Sequence, residues 1–297
     1  MKFLMSLSLI IFFCNANAWA QKQSADAADA AIASLESVIA NENNFARAAG
    51  DKGIKAAFLQ FAAKNAVMID PVPINAREMW EKKNESTAFL TWRPTWAEVS
   101  ATGELAFTTG PWELSSKGKT EAPSAFGEFA TVWKKQSDKT WKFVFDFGVD
   151  HAKPEGGESA SAATNLVRKN KAENKNSQET SDWRALENDF ASLNEQKGAL
   201  KAYENFLSNQ ARLLRQNHFP FVGKKSALEI LKVENGNLKT RALNGETNAD
   251  LAYAYGEYEL APASGKTEKG HFLRMWKREP KGWRIILDLM RPLAPAQ

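Results

Sequence analysis

The chain has 297 residues, with 39 lysines and arginines against 35 aspartates and glutamates and a formal net charge of +4. This length is that of two ordinary domains, and the charge is too small to indicate binding to nucleic acid. The single cysteine, Cys14, lies in the N-terminal apolar segment, which leaves the remaining chain without disulfides or a thiolate metal site. The histidines (His151, His218 and His271) show no metal-ligand spacing, so we predict neither a metal nor a cofactor.

The N-terminus has the pattern of a secretory signal. Lys2 is followed by an apolar run from Phe3 to Phe13 and then by small residues that end at Ala20. We predict that residues 1–20 are a signal peptide cut near Ala20, and that the protein is bacterial and periplasmic or secreted. The apolar run is shorter than the ~20 residues that a membrane-spanning helix needs, and no later stretch is long enough, so no membrane span is expected.

Two helices are predicted to open the first half of the remaining chain. Residues 26–49 place apolar side chains at helical spacing and are expected to end at Gly50, a residue typical of helix C-termini. Asp51 is then expected to cap a second helix that reaches Phe61. After the strand "AVMID", Asn75 and Glu78 have the spacing of a capping box for a short third helix.

Strands are predicted from Phe89 onward, where apolar and polar residues alternate with a period of two. Turns are expected at Gly103, at Gly118 and at the pair Ser137-Asp138, which separate these strands. Helices followed by a run of strands are typical of an α+β domain, in which a curved antiparallel sheet wraps around the helices.

The chain then repeats itself. The segment "ENNFARAAGDKG" from Glu42 matches "ENDFASLNEQKG" from Glu187 at an offset of 145 residues, and the match continues without a gap to Phe61 and Phe206. Further matches follow at offsets that drift by only a few residues, and they end with the pairs Trp133–Trp276 and Trp141–Trp283. The repeat predicts two tandem domains, residues 27–152 and 180–293.

A segment of different composition separates the two copies. Residues 153–179 consist largely of Glu, Gly, Ser, Ala, Asn and Lys, with almost nothing apolar to bury, and are predicted to be a flexible linker. Because few contacts are expected to cross such a boundary, we predict that the first copy, residues 27–150, folds without the rest of the chain.

Two stretches of the first copy resemble a known family. "LTWRPTWAEVSATGELAFTTGPWEL" and "GEFATVWKKQSDKTWKFVFDFGV" are similar to the SnoaL-like, DUF4440-type branch of the NTF2-like superfamily, and the second copy matches it more loosely. The resemblance implies two tandem cone-shaped (cystatin-like) α+β barrels, each with a pocket between its sheet and its helices. The superfamily includes isomerases, cyclases, dehydratases, ligand binders and dimerisation modules, so the fold alone does not identify the function.

The first copy is rich in aromatic residues that the second copy lacks. Of Trp80, Trp92, Trp96 and Trp112, only Trp112 has an aromatic counterpart, Tyr258, so the additional indoles are predicted to line a pocket for a flat or apolar ligand. The alternative is that they pack the sheet against the helices. Strand alternation places Trp141, Phe143, Phe145 and Phe147 on one face, which is either an apolar pocket floor or plain core packing. Arg93 is either a clamp for an anionic ligand group or a side chain in solvent. The candidate ligand-binding residues are Trp80, Trp92, Arg93, Trp96, Trp112, Phe129, Phe145 and Phe147.

Asp70 is the candidate catalytic residue. Its place before Pro71 at a strand end resembles that of the general base of ketosteroid isomerase, an NTF2-like enzyme that moves a proton beside a carbonyl group. Asn43 stands near the position of that enzyme's oxyanion-hole tyrosine, and no sheet carboxylic acid matches its second donor, so the stabilising donors are missing. The alternative role for Asp70 is to accept hydrogen bonds from turn amides.

Three functions remain open at this point. The first is an exported protein that binds a small hydrophobic or aromatic molecule in the pocket of the first domain. The second is an isomerase-like, lyase-like or dehydratase-like enzyme with Asp70 as its base. The third is a scaffold in which the sheets of the two domains dock as an intramolecular pseudo-dimer, so that the chain is a monomer or a weak homodimer.

Overall fold

The structure is a computed structural model that describes residues 7–155, 182–234, 236–262 and 265–294, with side chains from residue 29 onward. The side chains of the predicted signal, residues 1–20, and nearly all of the predicted linker, residues 153–179, lie outside the described part. We refer to residues up to 155 as the N-terminal half and to residues from 182 as the C-terminal half. None of the described helices is long and apolar enough to cross a membrane.

The N-terminal half begins with three helices: α1 (Leu7–Lys52), α2 (Ile54–Phe61) and α3 (Ala76–Lys82). The predicted bounds of the first helix, residues 26–49 with an end at Gly50, are wrong at both ends, because the helix begins at Leu7 and continues to Lys52. Gly53, with a φ of 88°, makes the break. Asp51 is therefore inside α1 and does not cap α2, whose N-cap is Gly53. The predicted N-cap of α3 is confirmed, since the Asn75 side chain accepts a 3.1 Å hydrogen bond from the backbone N–H of Glu78, which is one of the two bonds of a capping box.

The sheet of the N-terminal half has seven strands in the order β2-β1-β7-β6-β5-β3, with β4 also paired to β5. The strands are β1 (Ala62–Ile69), β2 (Pro73–Asn75), β3 (Phe89–Trp92), β4 (Trp96–Val99), β5 (Leu105–Ser115), β6 (Ala125–Lys135) and β7 (Trp141–His151). Strand β1 runs parallel to β7, whereas the other pairs are antiparallel. The sheet is thus mixed, and β2 and α3 separate β1 from the meander of antiparallel strands in the chain.

The C-terminal half repeats this plan. Its elements are α4 (Trp183–Lys197), α5 (Ala199–Phe206), β8 (Leu207–Arg215), β9 (Phe221–Val222), α6 (Lys224–Glu234), β10 (Gly236–Asn248), β11 (Leu251–Pro262), β12 (Glu268–Glu279) and β13 (Gly282–Pro292). Gly198, with a φ of 84°, separates α4 from α5 as Gly53 separates α1 from α2. The strand order is β10-β11-β12-β13-β8-β9, and β8 again runs parallel to β13. Two α+β units of the kind that the resemblance implies follow one another, which confirms the predicted fold class.

A β-bulge interrupts the last strand of each half. In β7, Phe143 pairs with Trp133 but Phe145 pairs with the preceding residue, Val132, so Val144 is the additional residue. The register between β12 and β13 shifts at the equivalent place. Because an additional residue reverses the alternation of side chains, Phe143 packs in the helix-facing core while Phe145 lies on the opposite face. The predicted shared face of Trp141, Phe143, Phe145 and Phe147 is therefore wrong.

Three cores hold the structure together. One lies between helices and sheet in each half, and the third contains side chains from both sheets. In this intersheet core the ring of Phe145 stacks on that of Tyr255 with centroids 4.5 Å apart. At the margin, the guanidinium of Arg212 lies 5.0 Å from the Trp96 ring. The two sheets thus pack face to face, and each half keeps its helices on the outer side of its sheet.

Candidate functional site

The N-terminal half contains a partly open cavity of about 470 Å³ between its helices and its sheet. This volume is within the range of small-molecule sites, ~300–1,000 Å³. Most of the lining is apolar and is formed by Phe45, Ile54, Phe58, Met68, Ile69, Trp80, Ala88, Leu90, Trp92, Trp112, Leu114, Phe129 and Phe147. The polar and charged lining residues are Lys55, Lys83, Asn84, Glu85, Ser86, Thr131, Asp146, Asp150 and Arg291.

The structure brings five of the eight candidate ligand-binding residues to this cavity: Trp80, Trp92, Trp112, Phe129 and Phe147. Trp92 on β3 and Trp112 on β5 are direct cross-strand neighbours, which places their indoles side by side. Trp112 is accommodated over Gly127, where an added Cβ would lie 2.4 Å from Cζ2 of the indole. The cavity wall is thus built by adjacent strands that present large rings to the same side.

The other three candidates lie elsewhere. Trp96 and Phe145 belong to the intersheet core, and Arg93 is exposed to solvent. Phe145 is on that face because of the bulge at Val144, whereas Trp96 is on β4, a separate strand that pairs with β5 further along. These three residues do not line the cavity.

Asp70 does not line the cavity either. Its side chain is 51% exposed and forms a 2.9 Å ion pair with Nζ of Lys83. Its backbone N–H donates a hydrogen bond to the carbonyl oxygen of Val72. An exposed carboxylate with a lysine partner in solvent contributes little to stability and is poorly placed to take a proton from a molecule inside the cavity.

Three carboxylates line the cavity, and of these Glu85 and Asp150 are exposed to solvent, whereas Asp146, on β7 two residues beyond the bulge, is partly buried. Thr131 Oγ1, on the neighbouring strand, donates a 2.7 Å hydrogen bond to its Oδ2. Burial raises the pKa of Asp146 to about 6, against the lowering effects of the Thr131 hydrogen bond and of the Arg291 charge. Such a group can accept hydrogen bonds, pair with a cation or exchange a proton near neutral pH.

Another carboxylate, that of Glu42 on α1, is fully buried next to the cavity and does not line it. Its Oε1 accepts a 2.6 Å hydrogen bond from Trp92 Nε1, and its Oε2 accepts from Trp133 Nε1 at 2.9 Å and from Thr108 Oγ1. Burial raises the pKa of Glu42 to about 7, although these three hydrogen bonds act to lower it. Since Trp92 lines the cavity, Glu42 fixes the orientation of one of its rings.

One wall residue comes from the C-terminal half. Arg291 on β13 reaches the cavity, where its Nη1 donates to the carbonyl oxygen of Gly148 at 2.9 Å and its Nη2 donates to that of Ile69 at 2.6 Å. Its guanidinium also lies 4.5 Å from the ring of Phe147. The cavity is therefore completed by both halves of the chain.

The equivalent region of the C-terminal half is occupied by an ionic network. Strand register places Arg274 where the N-terminal half has Thr131, and Asp288 where it has Asp146. Arg274 forms ion pairs with Asp288 at 2.9 Å and with Glu187 at 2.6 Å, and Arg215 adds a 2.8 Å pair with Asp288. Burial alone would raise the pKa of Asp288, but Arg215 and Arg274 outweigh it and hold that pKa below its ordinary value.

A smaller hollow of about 290 Å³ remains in the C-terminal half. It is lined by residues nearer the helices, such as Tyr203 and Leu231, and neither Arg274 nor Asp288 reaches it. Thr131 thus leaves space in the cavity of the N-terminal half at the position where the longer Arg274 fills it in the C-terminal half.

Sequence reasoning missed Asp146, Glu42 and Arg291. The first two had a readable signal, because each carboxylate recurs in the other copy, as Asp288 and Glu187, within an otherwise apolar or helical segment. Arg291 had none, since it is 143 residues away from the glycine it contacts. In the described ranges, no group of three or more His, Cys, Asp or Glu side chains is placed to hold a metal ion.

No protein-family model matches the sequence, and no curated protein is similar enough to match it. Among solved structures, an NTF-2 like protein of unknown function from Shewanella oneidensis is 20% identical over 36% of this chain and 94% of its own, with a TM-score of 0.32. An NTF2-like protein of unknown function from Pseudomonas putida is 11% identical over 39% of this chain and 93% of its own, with a TM-score of 0.32. An NTF2-like protein with a cystatin-like fold from Novosphingobium aromaticivorans is 14% identical over 38% of this chain and 81% of its own, with a TM-score of 0.31.

Proposed function

We propose that the chain binds a small hydrophobic or aromatic molecule in the cavity of its N-terminal half. The observation that carries this proposal is the 470 Å³ cavity itself, whose walls are mainly aromatic and aliphatic. Burying apolar ligand surface against such walls is favourable by ~25 cal/mol per Å². Of the polar lining groups, Asp146, Thr131 and Arg291 lie on the strands beside the aromatic lining and can orient a ligand there.

A titration of the full chain with a neutral two-ring probe, 1-naphthalenemethanol, tests this proposal by calorimetry. Trp112→Leu should weaken binding by ~1–3 kcal/mol, because it removes one large side chain from the wall. Trp112 suits this test better than Trp92. The indole N–H of Trp112 has no hydrogen bond in the described structure, so its replacement leaves the hydrogen bond between Trp92 and Glu42 in place. The control is Arg93→Ala, which changes an exposed neighbour of Trp92. Absence of binding, or equal losses in the two variants, would reject the site.

A second candidate function is proton transfer, as in an isomerase or a lyase. It is favoured by Asp146, a cavity carboxylate whose pKa burial raises to about 6, which suits a general base near neutral pH. Asp70, exposed and paired with Lys83, has weaker support for this role. If an activity is measured, Asp146→Asn should lower kcat by orders of magnitude and Asp70→Asn should not. The reverse result would return the role to Asp70.

We also propose, from the repeat and the motifs, that the two halves are tandem copies of a SnoaL-like domain. The C-terminal copy then serves as the docked partner that a scaffold function requires, since it shares the intersheet core. Export after cleavage near Ala20 belongs to the same proposal. N-terminal sequencing of the protein recovered from the periplasm or the medium tests the proposed cleavage, and a chain that retains Met1 would contradict that cleavage.

A further inference from the structure

The C-terminal half shows what surrounds a cation at this place in the fold. The guanidinium of Arg274 is fully buried between two carboxylates, and its Cζ lies 3.9 Å from the ring centroid of Phe190 and 5.1 Å from that of Phe272. A carboxylate with aromatic faces around it is a strong environment for a cation, because ion pairing and the negative ring faces act together. The C-terminal half supplies that cation from its own sequence.

The N-terminal half keeps the same surroundings without the cation. Asp146 takes the place of Asp288, and the rings equivalent to Phe190 and Phe272 are those of Phe45 and Phe129, both of which line the cavity. Thr131 takes the place of Arg274 but offers only a hydroxyl group. The space that the guanidinium fills in one half is therefore part of the cavity in the other.

The remaining charges at the cavity already have partners. Lys55 lies 3.7 Å from Glu85, Lys83 is paired with Asp70, and Arg291 donates to two carbonyl oxygens. Asp150 is exposed to solvent and accepts a 2.9 Å hydrogen bond from Gln216. Asp146 has no ion-pair partner within 4.0 Å among the side chains that the structure describes. Its partly buried carboxylate is thus the lining charge that a ligand can neutralise.

Building on the proposed function, we propose that the ligand is a hydrophobic organic cation. Its ammonium or guanidinium group pairs with Asp146 between the rings of Phe45 and Phe129, and its apolar body lies against Trp92 and Trp112. The C-terminal half contains the internal equivalent of this complex, with Arg274 in the place of the ligand's charged group.

Calorimetry with the full chain at neutral pH tests the inference with probes that share one two-ring body: 1-naphthylmethylammonium, 1-naphthalenemethanol and 1-naphthoate. The ammonium should bind at least about tenfold more tightly than the alcohol, and the carboxylate more weakly than the alcohol. Asp146→Asn should bring the ammonium and the alcohol to within about threefold of each other. Glu113→Gln is the matched control, since it removes the same charge beside Trp112 but from a residue outside the cavity lining, and should preserve the preference.

Thr131→Arg is the second variant, because it restores the internal cation of the C-terminal half. It should abolish binding of the ammonium while circular dichroism shows an intact fold. Retention of ammonium binding by this folded variant, or a wild-type protein that binds the alcohol as tightly as the ammonium, would overturn the inference while leaving the proposed function standing. A wild-type protein that binds none of the three probes would reject both.

Discussion

Trp92 Nε1 donates a 2.6 Å hydrogen bond to Oε1 of Glu42, and this bond connects the cavity wall to the first helix. The C-terminal half has the corresponding carboxylate, Glu187, which accepts a 2.7 Å hydrogen bond from Trp276 Nε1. In the N-terminal half Glu42 accepts from Trp133 as well, so two indoles depend on one carboxylate. The cavity is therefore held in shape by a polar group that no ligand needs to contact.

Glu42→Gln should destabilise the protein by ~1–3 kcal/mol. The reason is that the glutamine NH₂ group is a hydrogen-bond donor, and it replaces a carboxylate oxygen that accepted hydrogen bonds from indole N–H and hydroxyl groups. The substitution should also weaken binding of 1-naphthalenemethanol, since Trp92 loses its orientation. Urea unfolding and calorimetry measure the two effects. Glu36→Gln, an exposed change on the same helix, is the control. Unchanged stability in Glu42→Gln would show that these hydrogen bonds contribute nothing.

Asp146→Asn should stabilise the unliganded protein above neutral pH. The folded pKa of about 6 lies above the ordinary 3.8, so the folded state keeps a proton that the unfolded state loses, and this contribution to stability disappears as the pH rises through about 6. Asparagine avoids that loss, so the variant should match the wild type near pH ~4 and exceed it by at most ~3 kcal/mol above pH ~7.

Urea unfolding of both proteins across this pH range measures the difference. The charge that acts on Asp146 is that of Arg291, which lowers its pKa, and the charge of Asp146 in turn raises the pKa of Glu42. Comparison with the Glu42→Gln variant separates the two carboxylates. A stability difference that increases toward acid pH would contradict the assigned direction of the shift.

Arg274→Leu should lower the free energy of unfolding by ~3–5 kcal/mol, because it leaves Glu187 and Asp288 buried with fewer cationic partners. The matched change in the N-terminal half, Thr131→Val, removes one hydroxyl hydrogen bond and should cost only ~1 kcal/mol. Thermal unfolding of the two variants gives the comparison. Equal costs would mean that the two positions do not differ as the ion pairs indicate.

The N-terminal half on its own should self-associate or fail to unfold cooperatively. Separation from the C-terminal half exposes the sheet face that carries Phe145, Phe147 and Val149, an apolar surface that water disfavours. This expectation revises the sequence-based prediction of independent folding for residues 27–150. Sedimentation of the fragment alone and mixed with residues 182–294 tests it. A monomeric fragment with a cooperative melt would restore the original prediction.

Much of the architecture was predictable because its signals are local. The 145-residue offset, the N-cap at Asn75 and the helix-then-strand order are all visible in residue spacing. The end of α1 was missed because Gly50 and Gly53 both fit a helix terminus, and only the positive φ of Gly53 distinguishes them. The bulge was missed because Val144 and Phe145 are both apolar, so an additional residue leaves no mark in the hydrophobic pattern.

The candidate site was predictable to the extent that residue type alone decides it. An excess of tryptophan in one copy pointed to Trp80, Trp92 and Trp112, which do share the cavity. Asp146 was hidden by the reversed alternation, since a regular strand would turn it away from the helices. The contact of Arg291 with Gly148 depends on how the two sheets pack, which no spacing within one copy can indicate.

Arg291 of the C-terminal half donates to the carbonyl oxygens of Ile69 and Gly148 in the N-terminal half. A ligand that contacts this part of the cavity wall therefore contacts residues of both halves. A ligand that binds more tightly when Arg291 completes the wall must, by thermodynamic linkage, stabilise the docking of the two halves by the same free energy. In a chain cut between residues 155 and 182, the two fragments would dissociate less readily when the cavity is occupied. The unliganded protein would be cleaved by a protease, or unfolded by a pulling force, more readily than the liganded one.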